Sequence, residues 1–230
     1  MCGRFVASTP VSNLATIFDA EVGEMNLRAS WNVAPTSRIA GLSMVDGHRR
    51  IDTFVWGLMP KWRASRGPVE PLINARAESV AEKPSFRNLV PQQRCVIPMT
   101  GYYEWLTAKE AKRKIPYFIR RSDGAPVAAA GLFDIADDQS GGYPRACIIT
   151  VAANARLSEV HDRMPAVLDS EGLVAWLEGD TAEALSVLVP AADDVLEATE
   201  VSTKVNSVRN NDPSNIDPIE TQLPRSLFED

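Results

Sequence analysis

The stretch Ile39-Ala40-Gly41-Leu42-Ser43-Met44-Val45-Asp46-Gly47-His48-Arg49-Arg50-Ile51-Asp52-Thr53-Phe54-Val55 reads as two strands joined by a turn. Apolar-rich runs at 39–45 and 50–55 flank Asp46-Gly47, a pair that tolerates the positive φ of a tight hairpin. The same pattern recurs outward on both sides. β-rich runs occupy 4–6, 94–97, 102–106, 117–120, 127–132, 146–151 and 197–201, and Asp123-Gly124 predicts a second tight hairpin. Helical signals are fewer. Thr9 as N-cap with Pro10 at the first helical position predicts a helix to about Asp19. Ser170 starts another, with Leu173, Val174 and Leu177 on one face, and a third spans 181–188 ahead of Pro190. Many short strands with peripheral helices predict an α+β fold, a single domain built round a curved, barrel-like, mostly antiparallel sheet. With no repeat or linker inside the first 200 residues, 2–210 reads as that domain and 211–230 as an extended tail.

A chain of 230 residues can bury a substantial core, and 45% hydrophobic with 23% charged residues is the balance of a soluble globular protein. No run approaches the ~20 apolar residues that cross a bilayer, and the N-terminus lacks the basic and apolar regions of a signal peptide. Three cysteines, Cys2, Cys95 and Cys147, lack metal-ligand spacing and suit a reducing cytoplasm. No metal or organic cofactor is called for. The net charge of −6 is unevenly spread: 164–203 holds nine acids and no Lys or Arg, so the remainder carries a net of +3. Local field rather than total charge steers a polyanion, so a nucleic-acid groove is not excluded.

Chemistry begins at Cys2. Removal of Met1 would leave Cys2 with a thiol and a free α-amine on adjacent carbons. Their ordinary pKa values, ~8.5 and ~7.7–8.0, let both react near neutral pH. Such a pair can condense with an aldehyde to an imine and close to a thiazolidine. It can also attack an amide with the amine as base. The remaining possibility is an ordinary buried cysteine. Arg4 would add positive charge beside the thiol and depress its pKa.

Glu104 lies in the aromatic run Gly101-Tyr102-Tyr103-Glu104-Trp105, where strand alternation puts it on the face of Tyr102. A carboxylate in apolar surroundings exchanges protons near neutrality; the other reading is an edge-strand Glu facing water. Of the two histidines, His48 beside the Asp46-Gly47 turn reads as exposed, whereas His161 in His-Asp-Arg-Met-Pro reads either as a proton shuttle with Arg163 as phosphate-binding neighbour or as a partly buried structural histidine. In Asn74-Ala75-Arg76-Ala77-Glu78, Asn74 can orient a reacting group and Arg76 can clamp a phosphate. Trp62 near basic residues suits stacking on bases, while Trp56 suits the core. Lys109, Lys112, Arg113 and Lys114 read as a solvated hairpin loop.

Taken in order, Met-Cys-Gly-Arg-Phe (1–5), Trp-Asn-Val-Ala-Pro (31–35), Trp-Gly-Leu-Met-Pro-Lys-Trp (56–62), Asn-Ala-Arg-Ala-Glu (74–78), Gly-Tyr-Tyr-Glu-Trp (101–105) and His-Asp-Arg-Met-Pro (161–165) resemble the SRAP family. These are the SOS-response-associated peptidase-like, abasic-site processing proteins. The resemblance implies binding of single-stranded DNA, including junctions with duplex, by a monomer. It further implies capture of the ring-opened abasic aldehyde as a thiazolidine on Cys2. By that resemblance Glu104 moves protons, His161 assists sugar opening and Asn74 positions Cys2. Arg4, Arg76 and Arg163 hold phosphates, and Pro35 with Trp62 forms a wedge. Peptidase activity toward residues preceding the cysteine, and lyase-like activity, are also implied. Ser79 stands where relatives often have Thr, and Lys83-Pro84 where some have Arg. Two rivals are an N-terminal-cysteine amidohydrolase of the glutamine amidotransferase kind and a non-covalent single-strand DNA-binding adaptor.

Overall fold

The structure, a computed structural model, describes residues 2–23, 25–60, 70–108, 113–134 and 141–219. In chain order the strands are β1 (Phe5–Ala7), β2 (Glu21–Val22), β3 (Ser30–Val33), β4 (Arg38–Val45), β5 (His48–Trp56), β6 (Asn74–Arg76), β7 (Arg94–Met99), β8 (Gly101–Ala108), β9 (Arg113–Arg121), β10 (Val127–Asp134), β11 (Arg145–Ala152), β12 (Arg163–Pro165) and β13 (Leu196–Glu200). The helices are α1 (Val11–Phe18), α2 (Ala77–Val80), α3 (Ser170–Leu177) and α4 (Thr181–Ser186).

The strands form two sheets rather than one. The first runs β13-β9-β8-β1-β3, all antiparallel. The second runs β12-β11-β10-β7-β4-β5-β2, with β6 alongside β11. It curls until β5 meets β11 in parallel, Val55 opposite Arg145 and Trp56 opposite Ala146, so five of its strands close a ring. The fold is α+β, as the short-strand pattern predicts. Among the described residues parallel pairs enter at β2–β5, β5–β11 and β6–β11. The core fills the space that the ring and the smaller sheet enclose, with Phe54, Trp56, Ile97, Ile148 and Trp176 at 1% exposure or less.

The opening hairpin forms as read: Asp46 and Gly47 take φ of 49° and 80°, and Val45 faces His48 across the turn. The second does not. Gly124 does take a positive φ of 76°, but β9 pairs with β8 and β13 while β10 pairs with β7 and β11. The Asp123-Gly124 turn therefore carries the chain from one sheet to the other. Helix starts also differ from the sequence reading. Pro10, not Thr9, occupies the N-cap of α1, because the Thr9 hydroxyl and backbone N–H both engage Thr100 Oγ1. Asp169 caps α3 by accepting from the Gly172 N–H, and Asp180 and Glu183 form a capping box on α4. Val174 faces solvent at 45% exposure; Trp176 takes the buried position. Lys114 lies in β9 opposite Thr107, so the basic cluster is partly strand, and Lys109 and Lys112 fall outside the described residues.

The segment past Thr203 is laced to the first sheet. Asn32 donates to the carbonyls of Val205, Ser207 and Asn210, and Asn211 Oδ1 accepts from the Trp31 N–H. Residues Pro213–Ile216 form a short 3-10 turn with Asn215 buried. No described helix is long and apolar enough to cross a membrane.

Candidate active site

Cys2 lies where the two sheets meet. The Tyr103 N–H donates to the Arg4 carbonyl at 2.9 Å and Phe5 faces Tyr102, so β1 runs antiparallel to β8. Continuing that pairing toward the start of the chain brings Gly3 and Cys2 alongside Glu104. From the second sheet, Asn74 arrives on β6, held in parallel register with Ile148 of β11. Its side-chain NH2 donates to the Cys2 carbonyl at 2.9 Å. Trp56 braces both sides: its ring packs edge-on against Phe5 at 5.0 Å, and its indole N–H donates to the Ile73 carbonyl next to Asn74. The core tryptophan thereby fixes the approach of Cys2 to Asn74.

His161 completes the group. After β11 a 3-10 turn at Leu157–Glu159 reverses the chain, and the His161 N–H donates to the Leu157 carbonyl. The imidazole Nε2 stands 3.8 Å from Glu104 Oε2. Nδ1 accepts from the Arg163 backbone N–H at 3.0 Å. That partner assigns the neutral ring's hydrogen to Nε2, aimed at Glu104. Asp162 Oδ1 lies 2.9 Å from Nδ1, a contact that becomes a charged hydrogen bond only when the ring is protonated. Burial lowers the His161 pKa below its ordinary 6.5, which keeps the ring neutral at pH 7.

Burial is the leading electrostatic influence at the other two groups as well. It pushes Glu104, 3% exposed, up to about 7, against the pull of the positive chain terminus. It pushes the Cys2 thiol up too, with the Glu104 charge adding to the effect. The thiol is therefore neutral at rest, the reverse of the depression expected from Arg4. The reason is direction: Arg4 donates from Nη1 to Asn32 Oδ1 at 2.7 Å and to the Val205 carbonyl at 3.1 Å, away from the sulfur. Cys95 and Cys147 are fully buried in strands, with thiols pushed up by burial.

Arg163 lies next to this group on β12, but its guanidinium is occupied. Nη1 and Nη2 meet both carboxylate oxygens of Glu78 at 2.6 and 2.9 Å, and Nη2 also donates to the Thr150 carbonyl. The ion pair holds Glu78 below the usual carboxylate range. Arg76 points outward from β6, exposed and without a side-chain partner among the described residues. Pro35 sits half-buried in the turn between β3 and β4, and Trp62 lies outside the described residues. Cys2, Asn74, Glu104 and His161 are thus brought together and Arg163 adjoins them. The sequence reading missed the Glu78 pair and the Tyr102 hydroxyl, which is buried beside Glu104. The period-2 alternation of β8 was the signal for the latter.

A separate apolar cavity of about 280 Å³ lies between α1, β3 and β4. None of these four residues lines it, and it offers no comparable convergence of titratable groups. The cluster at Cys2 is the stronger candidate.

The family model described as SOS response associated peptidase (SRAP) matches residues 1–208. Abasic site processing protein YoqW of Bacillus subtilis is 34% identical over 94% of this chain and 99% of its own length. Abasic site processing protein YedK of Escherichia coli is 31% identical over 95% of this chain and 100% of its own. A crystal structure of a Bacteroides thetaiotaomicron protein superimposes with a TM-score of 0.80 at 26% identity, covering 94% of this chain and 99% of that one. Motif order, a family match across nearly the whole chain and relatives above 30% identity agree: the chain belongs to the SOS response associated peptidase family.

Proposed function

We propose that this protein processes abasic sites in DNA by capturing the ring-opened sugar aldehyde on Cys2 as a thiazolidine. One observation carries the reading: Asn74 fixes the Cys2 backbone beside Glu104, whose pKa burial raises to about 7, with the His161 imidazole 3.8 Å from its carboxylate. An abasic sugar exists mostly as a closed hemiacetal, so it must be opened before an amine can add. Opening and dehydration both need proton transfer, and Glu104 and His161 supply the carriers. With the thiol neutral at rest, the α-amine released by removal of Met1 adds first. The thiol then closes the ring once the imine is formed. The relatives named as abasic site processing proteins support this assignment.

Single-stranded DNA, including the strand at a duplex junction, is the partner. Arg76 holds a flanking phosphate, and Arg163 takes another on release from Glu78. Arg4 keeps its second terminal nitrogen for a third. Pro35 and Trp62 limit entry of the duplex, and the protein acts as a monomer in the cytoplasm, joining the nucleoid through its DNA. Residues 2–210 act as the processing domain with 211–230 as its tail. Self-removal of Met1 is the corresponding peptidase activity, and reversal of the linkage the lyase-like one.

The test is mass spectrometry of the N-terminal peptide after incubation with abasic single-stranded DNA. Wild type, Cys95→Ala and Cys147→Ala should carry a heat-stable adduct on Cys2, and Cys2→Ala none. Equal adduct from Cys2→Ala would sink the reading. Adduct-free wild type with glutaminase activity would favour the amidohydrolase.

A further inference from the structure

Two polar atoms beside Cys2 are buried without a hydrogen-bond partner among the described residues: the Tyr102 hydroxyl and the Asn74 side-chain oxygen. A buried O–H with no acceptor costs stability, and such groups call for an explanation. Tyr102 has no exposed surface, and it shares the Glu104 face of β8, directly opposite Phe5 in the pairing with β1. Its neighbour Tyr103, on the opposite face, finds an ordinary structural partner by donating to the Trp31 carbonyl. Burial first, then the nearness of Cys2 and Glu104, makes the Tyr102 hydroxyl harder to ionise. It therefore stays a neutral donor. Among the described residues the site thus holds one unused donor and one unused acceptor near Cys2.

We propose that Tyr102 is a further catalytic residue, its hydroxyl donating to the oxygen that leaves the aldehyde carbon as the Cys2 amine adds. The proposal rests on the reading of Cys2 given above. In the first step the amine nitrogen bonds to the aldehyde carbon, the carbonyl electron pair moves to oxygen, and a proton passes from nitrogen to that oxygen. The resulting carbinolamine carries a hydroxyl oxygen and an N–H. Those are an acceptor for Tyr102 and a donor for Asn74 Oδ1. In the second step the C–O bond breaks and the oxygen leaves as water, its second proton balanced by loss of the carbinolamine N–H proton, giving the imine. In the third the Cys2 S–H adds across C=N, sulfur to carbon and proton to nitrogen. Tyr102 transfers no proton. It stabilises charge on oxygen in the first two steps and has no part in the third.

Tyr102→Phe removes one atom and keeps the ring. Single-turnover adduct formation with abasic single-stranded DNA should slow about 10²–10³-fold, the usual loss when one such donor is removed. Imine trapped by borohydride should slow by the same factor, since the effect falls before ring closure. Binding to undamaged strands should not change. The thermal midpoint should stay level or rise, because the lost hydroxyl has no partner in the resting protein. A wild-type rate in Tyr102→Phe would overturn the proposal. So would a slower rate accompanied by a lowered midpoint, which would mean the hydroxyl is structural. If wild type itself forms no adduct, the reading of Cys2 falls, and this proposal with it; if only the variant matches wild type, only this proposal falls.

Discussion

Glu104 is a carboxylic acid held almost wholly out of water, and its ionisation is linked to folding. Its folded value of about 7 lies above the ordinary 4.5. Between those values the folded state holds more protons than the unfolded one, so stability falls as pH rises through that window. A shift of that size corresponds to about 3 kcal/mol of lost stability by pH 8. Glu104→Gln cannot ionise, so its unfolding midpoint in urea should exceed wild type at pH 8 and approach it near pH 4. The same variant should form adduct about 10²–10⁴-fold more slowly, with the pH limb centred near 7 gone. Higher stability with unchanged rate would leave Glu104 a buried acid without a role in proton transfer. At this scale the sequence was informative where a residue's own chemistry sufficed. Cys2, Asn74, Glu104 and His161 could be picked out by type and motif. The direction of Arg4 and the pairing of Arg163 could not, because each depends on groups far along the chain: Val205 for one, Glu78 for the other.

Among the elements, β8 matters most, since it delivers both Tyr102 and Glu104. Gly101 opens it at a point of close approach: a Cβ there would lie 2.5 Å from the Phe118 ring and 2.6 Å from the Ile119 carbonyl oxygen. The ring could rotate, but the carbonyl belongs to the β9 ladder and cannot yield without moving the strand. Gly101→Ala should cost about 1–3 kcal/mol and slow adduct formation by shifting the two side chains that follow. Gly124→Ala is the contrast. It is strained only by its φ of 76°, so it should cost about 1–2 kcal/mol and leave the rate unchanged. Urea unfolding and single-turnover kinetics on both variants separate the two outcomes. The long strands were legible because each carries a run of apolar or β-rich residues, continuous where, as in β7, β10 and β11, both faces are buried. β2, β3, β6 and β12, two to four residues each, carry none. β6 exists because β11, distant in sequence, offers it a parallel edge. Asp123-Gly124 misled for a related reason: a turn pair specifies local backbone, not which sheet receives the next strand.

For the whole molecule, the balance of charge hides a division. The run 164–203 is acidic throughout and builds α3, α4 and β13, whereas Cys2, Asn74, Glu104 and His161 belong to other segments. A single strand crossing the site would meet Arg76 directly. Arg76→Ala should weaken binding to undamaged single strands and reduce the slope of log affinity against log salt by about 0.7. Fluorescence titration across salt concentrations checks it, and an unchanged slope would put the strand elsewhere. Arg163 should behave otherwise, and the cause is its carboxylate partner. Counterion release requires mobile ions condensed on the DNA to be replaced by a protein cation that brings no anion of its own. Arg163 already carries a fixed anion in Glu78, held by two hydrogen bonds. When a phosphate displaces that carboxylate, one internal anion is exchanged for another and the complex gains no net positive charge. Such a contact adds geometry without adding salt sensitivity. A strand gripped at Arg163 would be held with a force that ionic strength does not set.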